Sequence, residues 1–250
     1  MTVNTEPQAL LSHLPCADGS ATFSFAGYTI VGAVNGPIEV QRRDELPEEA
    51  VIDVVVRPAA GVGGARERHL ESLLQSTLRQ IILVDNFPRT LIQITLQVTV
   101  APENEYLNTK LIQASSNLPI LPALIQTSLL SLLSAAIPLT ATLTSTAFAV
   151  LSEEGNRRIV IDPTARDVEQ AESLHVFAFT SHGELLLAES EGNFTMDAWD
   201  QVVTMAQSQC CPMRFENVDM MGDDAEAGAD LTRFTRSIVE AKIASDLYWK

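Results

Sequence analysis

The run Gly61-Val62-Gly63-Gly64, placed just before a segment of helical periodicity, is the first point at which this chain could do chemistry. Backbone N–H groups at a helix start can close on a phosphate. The run lacks the Gly-Lys-Ser/Thr ending of a P-loop and the spacing of a dinucleotide fingerprint, so a plain loop is the favoured reading. Arg66 and Arg68 follow at once. A guanidinium pairs with phosphate through two parallel hydrogen bonds, so the two could grip a polyanion backbone. A solvated first turn, paired with Glu67 or Glu71, explains them equally well.

Elsewhere the reactive residue types do not gather into motifs. His13, His69, His175 and His182 are dispersed, with no His-Glu-x-x-His and no Cys-x-x-Cys, so neither a metal nor another cofactor is expected. There is no Gly-x-Ser-x-Gly elbow of a serine hydrolase. Cys210-Cys211 ends a predicted helix with only Arg214 as a nearby cation, a setting for a buried or inert thiol rather than a nucleophile. Asp162, Asp167 and Glu172 offer carboxylates that a metal-dependent nuclease could use, although an Asp before Pro usually shapes a turn. Trp199 reads as core and Met220-Met221 as loop, not as a platform for stacked bases.

The totals limit the partners. A formal charge of -16 over 250 residues argues against a free-standing nucleic-acid binder, which needs clustered Lys and Arg, and favours solubility or a basic partner. Met1 to Gln8 carries Glu6, no basic residue and no apolar core, so no secretory leader is expected. Three cysteines, two of them vicinal, make no disulfide framework and suit a reducing compartment.

The elements that must position these residues centre on Leu111 to Ser152, which contains no charged residue and no histidine. Pro119, Pro122 and Pro138 bracket its most apolar part, Gln126, Thr127, Ser128, Ser131 and Ser134 interrupt it, and no Lys or Arg anchors stand directly beside that part. These details predict not a membrane span but a helix over Pro122 to Ala136 buried on nearly all sides, with a strand over Leu143 to Leu151 beside it. Upstream, strands are predicted at Leu10 to Leu14, Ala21 to Phe25 and Tyr28 to Val34, with a turn at Asp18-Gly19-Ser20 and a stop at Gly36-Pro37. A solvated loop through Arg42 to Glu49 leads to Val51 to Val56, whose near-continuous apolar run predicts cover on both faces. Leu70, Leu73, Leu74, Leu78, Ile81 and Ile82 mark an amphipathic helix, and Leu91 to Val100 alternates as a half-buried strand. Residues 102 to 118 read as a loop or a short insertion.

Downstream, hairpins are predicted across Glu153 to Asn156 and across His182-Gly183, with a short helical turn after Asp162-Pro163-Thr164. Thr195 caps a helix presenting Trp199, Val202, Val203 and Ala206 on one face. Glu216 to Asp230 reads as a flexible acidic loop, and a last helix runs from Leu231 to about Leu247 with Phe234, Ile238, Ala241 and Ile243 as its apolar contributors.

The order of several strings resembles the RNase PH family. They are Ala17-Asp18-Gly19-Ser20, Thr29 to Glu39, Arg66 to Glu71, Phe87-Pro88-Arg89, Ala136-Ile137-Pro138, Ile161-Asp162-Pro163-Thr164 and Val176-Phe177-Ala178-Phe179. Gly36-Pro37-Ile38-Glu39, Glu45-Leu46-Pro47 and Val56-Arg57-Pro58-Ala59 are more narrowly similar to the ring subunits of the eukaryotic RNA exosome. The resemblance covers about Leu10 to Cys210. It implies one α/β (α+β) domain over residues 1–250, of the ribosomal protein S5 domain 2-like fold, with mixed sheets and packed helices.

Active members of this family degrade RNA from the 3′ end by phosphorolysis, holding phosphate on a Gly-Ser-Arg type string before the central helix. Pro119, Ile120 and Leu121 fall there; proline has no N–H, and isoleucine and leucine offer neither the hydroxyl nor the charge that the work needs. Leu174 falls at the catalytic Asp, and His175 beside it points to the opposite face of a strand. Arg66 and Arg68 fall on the family's RNA-gripping positions. The resemblance therefore implies a non-catalytic ring subunit of the nucleus, nucleolus and cytoplasm. Its partners would be other RNase PH-like subunits, S1/KH cap subunits, associated nucleases and RNA, with no membrane. A residual metal-dependent or phosphorolytic exonuclease and a homodimeric interaction module are the alternatives.

Overall fold

The computed structural model describes residues 6–102, 117–153, 156–211 and 230–248, with the side chains of 152–157 left aside. Its elements fall into two sheets with helices between and outside them. The first sheet has the order β1 (Gln8–Leu11), β2 (Gly19–Phe25), β3 (Tyr28–Glu39), β5 (Thr90–Val100), β4 (Val51–Arg57). All its pairings are antiparallel except β4 with β5, which run parallel and are joined through helix α1 (Ala65–Ile81). The second sheet is antiparallel, in the order β7 (Asn156–Ile161), β6 (Leu143–Glu153), β8 (Ala171–Thr180), β9 (Leu185–Gly192).

Helix α2 (Leu121–Ser134) lies between the sheets against β2, β3 and β6, and every residue of it except Leu133 is buried. Three of its polar residues bond to their own helix, while Gln126 donates to Thr235 and Ser134 meets Ser12 at 3.0 Å. Thr127, Ser128 and Ser131 donate to the carbonyls of Ala123, Leu124 and Thr127 at 2.7, 2.8 and 2.8 Å, so no hydroxyl is left without a partner in the core. Two glycines set how closely the helix lies on the sheet. A Cβ on Gly19 would collide with the Ala135 nitrogen, and one on Gly32 with the Ser131 Oγ.

Short helix α3 (Ala165–Gln170) leads into β8, helix α4 (Met196–Cys210) covers the outer side of the second sheet, and α5 (Leu231–Asp246) closes the described chain. Strand β8 feeds both layers. Leu174, Val176 and Ala178 join the main core, while Phe177 and Phe179 pack with Val202 and Ala206 of α4. Helix α5 lays Phe234 against Phe23 of β2, ring centroids 6.0 Å apart, and Lys242 Nζ donates to the Ser134 carbonyl at the end of α2, 2.9 Å away. A cation there also suits the negative end of the helix dipole.

Several expectations need correction. Strand β1 stops at Leu11 because Ser12 turns into the left-handed region at φ 55°. Gly19 and Ser20 belong to β2, and the turn residue Asp18 accepts a hydrogen bond from the Gly36 N–H at 2.9 Å. Strand β3 does not stop at Gly36-Pro37. The ladder to β5 shifts register between Asn35 and Ile38, and that bulge carries the pairing past a residue with no N–H. Strand β4 is an edge strand buried on one face only, through Ile52, Val54 and Val56. In α5, Ala241 and Ile243 lie outside the core, Ile243 being 49 % exposed. Residues 103–116, 154–155 and the acidic segment 212–229, with Arg214 and Met220-Met221, lie outside the described residues. Among the described residues no helix is long and apolar enough to cross a membrane.

Candidate functional site

The segment leading into α2 is a 3-10 turn, Leu118–Ile120. The Leu121 N–H already donates to the Leu118 carbonyl, and Pro122 has no N–H to offer. Ile120 is 8 % exposed and Leu121 not at all. A helix start that normally presents orphan donors here presents hydrocarbon.

Across the second sheet, Leu174 pairs with Ala149 of β6 and Glu191 of β9, and its side chain joins the core under α2. His175 lies on the other face, fully enclosed. Its Nε2 meets Ser173 Oγ at 3.0 Å, its Nδ1 meets Ser190 Oγ at 2.8 Å, and Phe194 stands edge-on with centroids 4.8 Å apart. Burial lowers its pKa, so the ring is held neutral. Leu174 and His175 thus diverge as the two-residue period of a strand requires.

The three carboxylates considered for metal chemistry are not brought together. Asp167 is committed to capping α3, accepting from the Thr164 N–H at 2.9 Å and from its hydroxyl at 2.7 Å. Glu172 sits where the β6–β8 register shifts, and its side chain is exposed. Among the described residues no three His, Cys, Asp or Glu side chains form a group able to hold a metal ion.

Asp162 stands apart, in surroundings that no local pattern announces. It turns the chain out of β7 at φ 50°, as an Asp-Pro pair suggests, with its N–H donating to the Ala147 carbonyl at 2.9 Å. Its side chain also lines a cavity of about 10 Å³ with Tyr28, Pro119, Pro122, Ala147 and Pro163, room for about one water. Protein crowds the carboxyl, and the lost hydration raises its pKa to about 7, an effect only partly offset by a backbone hydrogen bond with Ala147. The only local signal was the strand-ending Ile161-Asp162-Pro163. Ala147, Tyr28 and Pro119 come from distant parts of the chain.

At the N-terminus of α1 the acids turn inward. Glu67 accepts from the Gly64 N–H at 2.6 Å, the carboxylate half of a capping box whose N-cap glycine has no side chain to complete it, and Glu71 accepts from the Val56 N–H at 2.9 Å across to β4. The glycine run therefore has its helix-start donor filled by its own carboxylate, and Glu71 fastens the helix to the sheet. Arg68 is exposed and has no ion-pair partner among the described residues, while Arg66 beside it is half-buried. Arg57, at the end of β4, is exposed at the same end of the fold.

The remaining candidates are structural. Cys210 and Cys211 are buried, and burial pushes the Cys210 thiol up to about 12, with the Thr146 hydroxyl 3.4 Å from its sulfur. Trp199 packs edge-on against Phe177 at 6.0 Å, as a core residue does.

Residues 8–138 match the model of the 3′ exoribonuclease family, domain 1 (RNase PH), and residues 144–209 match domain 2 of the same family. Exosome complex component RRP46 of Saccharomyces cerevisiae is 32 % identical over 209 residues, which cover 81 % of this chain and 89 % of the yeast protein. The crystal structure of rice (Oryza sativa) Rrp46 superposes with a TM-score of 0.72 at 21 % identity, covering 96 % of this chain and 97 % of the rice chain. An archaeal exosome core subunit superposes with a TM-score of 0.62 at 11 % identity, over 81 % of this chain and 82 % of the other.

Proposed function

This chain belongs to the RNase PH family of 3′ exoribonuclease domains, and from that premise we propose that it is a non-catalytic subunit of an RNA exosome ring, one RNase PH-like domain over residues 1–250. It supports 3′-to-5′ RNA processing and degradation by holding neighbouring subunits together and guiding RNA towards a nuclease elsewhere in the complex. The observation that carries the non-catalytic half of the reading is the apolar start of α2. Phosphorolysis needs a bound inorganic phosphate; Pro119 has no N–H, the Leu121 N–H already bonds the Leu118 carbonyl, and the buried side chains of Ile120 and Leu121 supply no hydroxyl and no charge to hold one. Leu174, aligned with the family's catalytic acid, supplies no proton for the leaving oxygen.

The subunit reading draws on the similarity to yeast exosome complex component RRP46 along most of both chains. Its partners in this reading are other RNase PH-like ring subunits, S1/KH cap subunits, associated nucleases and RNA, and its compartments are the nucleus, nucleolus and cytoplasm. Arg66 and Arg68 touch the RNA phosphates. With Glu67 and Glu71 engaged by backbone amides, Arg68 keeps its charge available to solvent. In a chain of charge -16 this contact is weak outside the assembled ring.

Two measurements test the proposal. The purified chain is incubated with 3′-labelled RNA and phosphate, or with Mg²⁺ or Mn²⁺; no release of nucleoside diphosphates or monophosphates is expected, and clear phosphate-dependent release would overturn the non-catalytic reading. RNA affinity of the assembled ring is then measured against salt. Replacing Arg68 by alanine should flatten the slope of log K on log salt by about 0.7, the value for one phosphate contact on a single strand.

A further inference from the structure

The first sheet ends in two unlike edges. Strand β1 is four residues long and is bent away at Ser12, whose φ is 55°. Strand β4 runs seven residues, Val51-Ile52-Asp53-Val54-Val55-Val56-Arg57, and within the sheet only β5 lies beside it. A β-branched run of this kind, nearly uncharged and free of proline, is the type of segment that stacks on copies of itself. At the edge of a sheet its unpaired backbone groups offer a template for that stacking.

This edge is not open. Helix α1 packs on β4 and runs opposite to it, and two side chains one turn apart reach down to the strand backbone. Glu71 Oε1 accepts from the Val56 N–H at 2.9 Å, and Gln75 Nε2 donates to the Ile52 carbonyl at 2.7 Å. A strand meets its neighbour through alternate residues, so Ile52, Val54 and Val56 turn their backbone groups away from β5. An acceptor side chain thus sits on an outward donor, and a donor side chain on an outward acceptor. Holding the helix down does not call for these bonds, since Leu70, Leu74, Leu78 and Ile81 are already buried beneath it.

We propose that Glu71 and Gln75 guard the edge of β4, closing it to strand addition by the β4 of a second copy of this chain. The sequence of the strand identifies the copy as the occupant that must be kept out. Paired antiparallel about Val54, two copies set Ile52 opposite Val56, Asp53 opposite Val55 and Val51 opposite Arg57, so no like charges meet. Asp53 raises no barrier either, because it already accepts from Gln93 at 3.2 Å within its own sheet. In that register the Val56 N–H of one copy donates to the Ile52 carbonyl of the other. These are the donor and the acceptor that the two side chains of α1 cover.

The experiment uses the full chain. Glu71→Ala with Gln75→Ala uncovers the edge and keeps the helix favourable, since alanine has the highest helix propensity. Glu71→Gln retains an oxygen that accepts from Val56, and Ser72→Ala, exposed on the same helix, is the control. Each chain is followed by sedimentation across a range of concentrations, by thermal melting in circular dichroism, and by amide exchange resolved to single residues. In the wild type the Val56 amide should be protected although no strand lies on its side. In the monomeric double variant it should exchange at least about tenfold faster. The double variant should also self-associate beyond the wild-type level while melting cooperatively, and Glu71→Gln and Ser72→Ala should behave as wild type. Protection should return at Ile52, Val54 and Val56 in the associated material. A folded double variant that associates no more than wild type overturns the proposal. Association that leaves residues 51–57 unprotected overturns the assigned occupant. A wild-type Val56 amide that exchanges as fast as in an unfolded peptide overturns the guard itself, whether or not the double variant folds.

Discussion

Replacing Asp162 by asparagine should stabilise the protein at neutral and alkaline pH. The carboxyl has a pKa raised from 3.8 to about 7 by burial beside Pro119 and Ala147. The folded chain therefore holds this proton more tightly than the unfolded chain does, so stability is full below about pH 3.8 and declines until about pH 7, where the folded group has ionised. At about 1.4 kcal/mol for each pH unit, the gap bounds the loss at about 4 kcal/mol. Asp162 keeps part of its surface in solvent, and discounting for that leaves about 2 kcal/mol.

Asparagine suits the site in every other respect. It is among the residues that tolerate the left-handed backbone found there, and its amide oxygen can keep the hydrogen bond with Ala147. Urea denaturation followed by tryptophan fluorescence at pH 8, 6 and 4 reads the effect. The variant should gain about 2 kcal/mol at pH 8, equivalent to about 4–8 °C in Tm for a chain of this size, and the gain should vanish near pH 4. A variant no more stable than wild type at pH 8, or a gain that does not shrink with acid, would refute the account of Asp162 as a carboxylate held in a poorly hydrated pocket.

The other predictions concern the core. In the Asp162→Asn background, which removes the opposing carboxylate, stability should be full above about pH 6.5, the ordinary value for histidine, and fall below it as His175 is forced to charge; a flat urea midpoint between pH 7.5 and 5 would contradict this. Gly32→Ala should cost about 1–3 kcal/mol by pressing a methyl onto Ser131 and Thr127 of α2, read as a lowered midpoint with unchanged m-value. Brief alkylation at pH 8 should modify Cys16 in the native chain and reach Cys210 and Cys211 only after denaturation, which intact-mass measurement counts directly.

Legibility followed how local each cause was. Helix α2 was readable because an uncharged run with paired prolines and scattered serines has few other destinations, and β5 because Leu, Ile and Val alternate with Gln and Thr along it. The cover over Val51 to Val56 was misread, since an edge strand with one buried face and a central strand with two can carry the same Val-rich string. The path of β3 beyond Gly36-Pro37 depends on a bulge against β5, more than fifty residues away in sequence. At the site, the divergence of Leu174 from His175 followed from strand period alone, and the capping of α1 by Glu67 is a three-residue relation. The engagement of Glu71 by the Val56 N–H and the enclosure of Asp162 by Pro119 join segments that only the fold brings together.

The place of α2 in the chain has a consequence on the ribosome. All five strands of the first sheet lie before residue 101, and their inner face, with Phe23, Ile30 and Ile94 fully buried in the finished molecule, has its main cover in a helix that ends at Ser134. At roughly 5–20 residues per second, the nascent chain carries that greasy surface for about 2–7 seconds before its helix has been made. The helix has no charge of its own to keep it in water, so it too must dock as it emerges. The interval is set by word order in the sequence rather than by the strength of any contact, and it is the moment at which this protein most needs a chaperone.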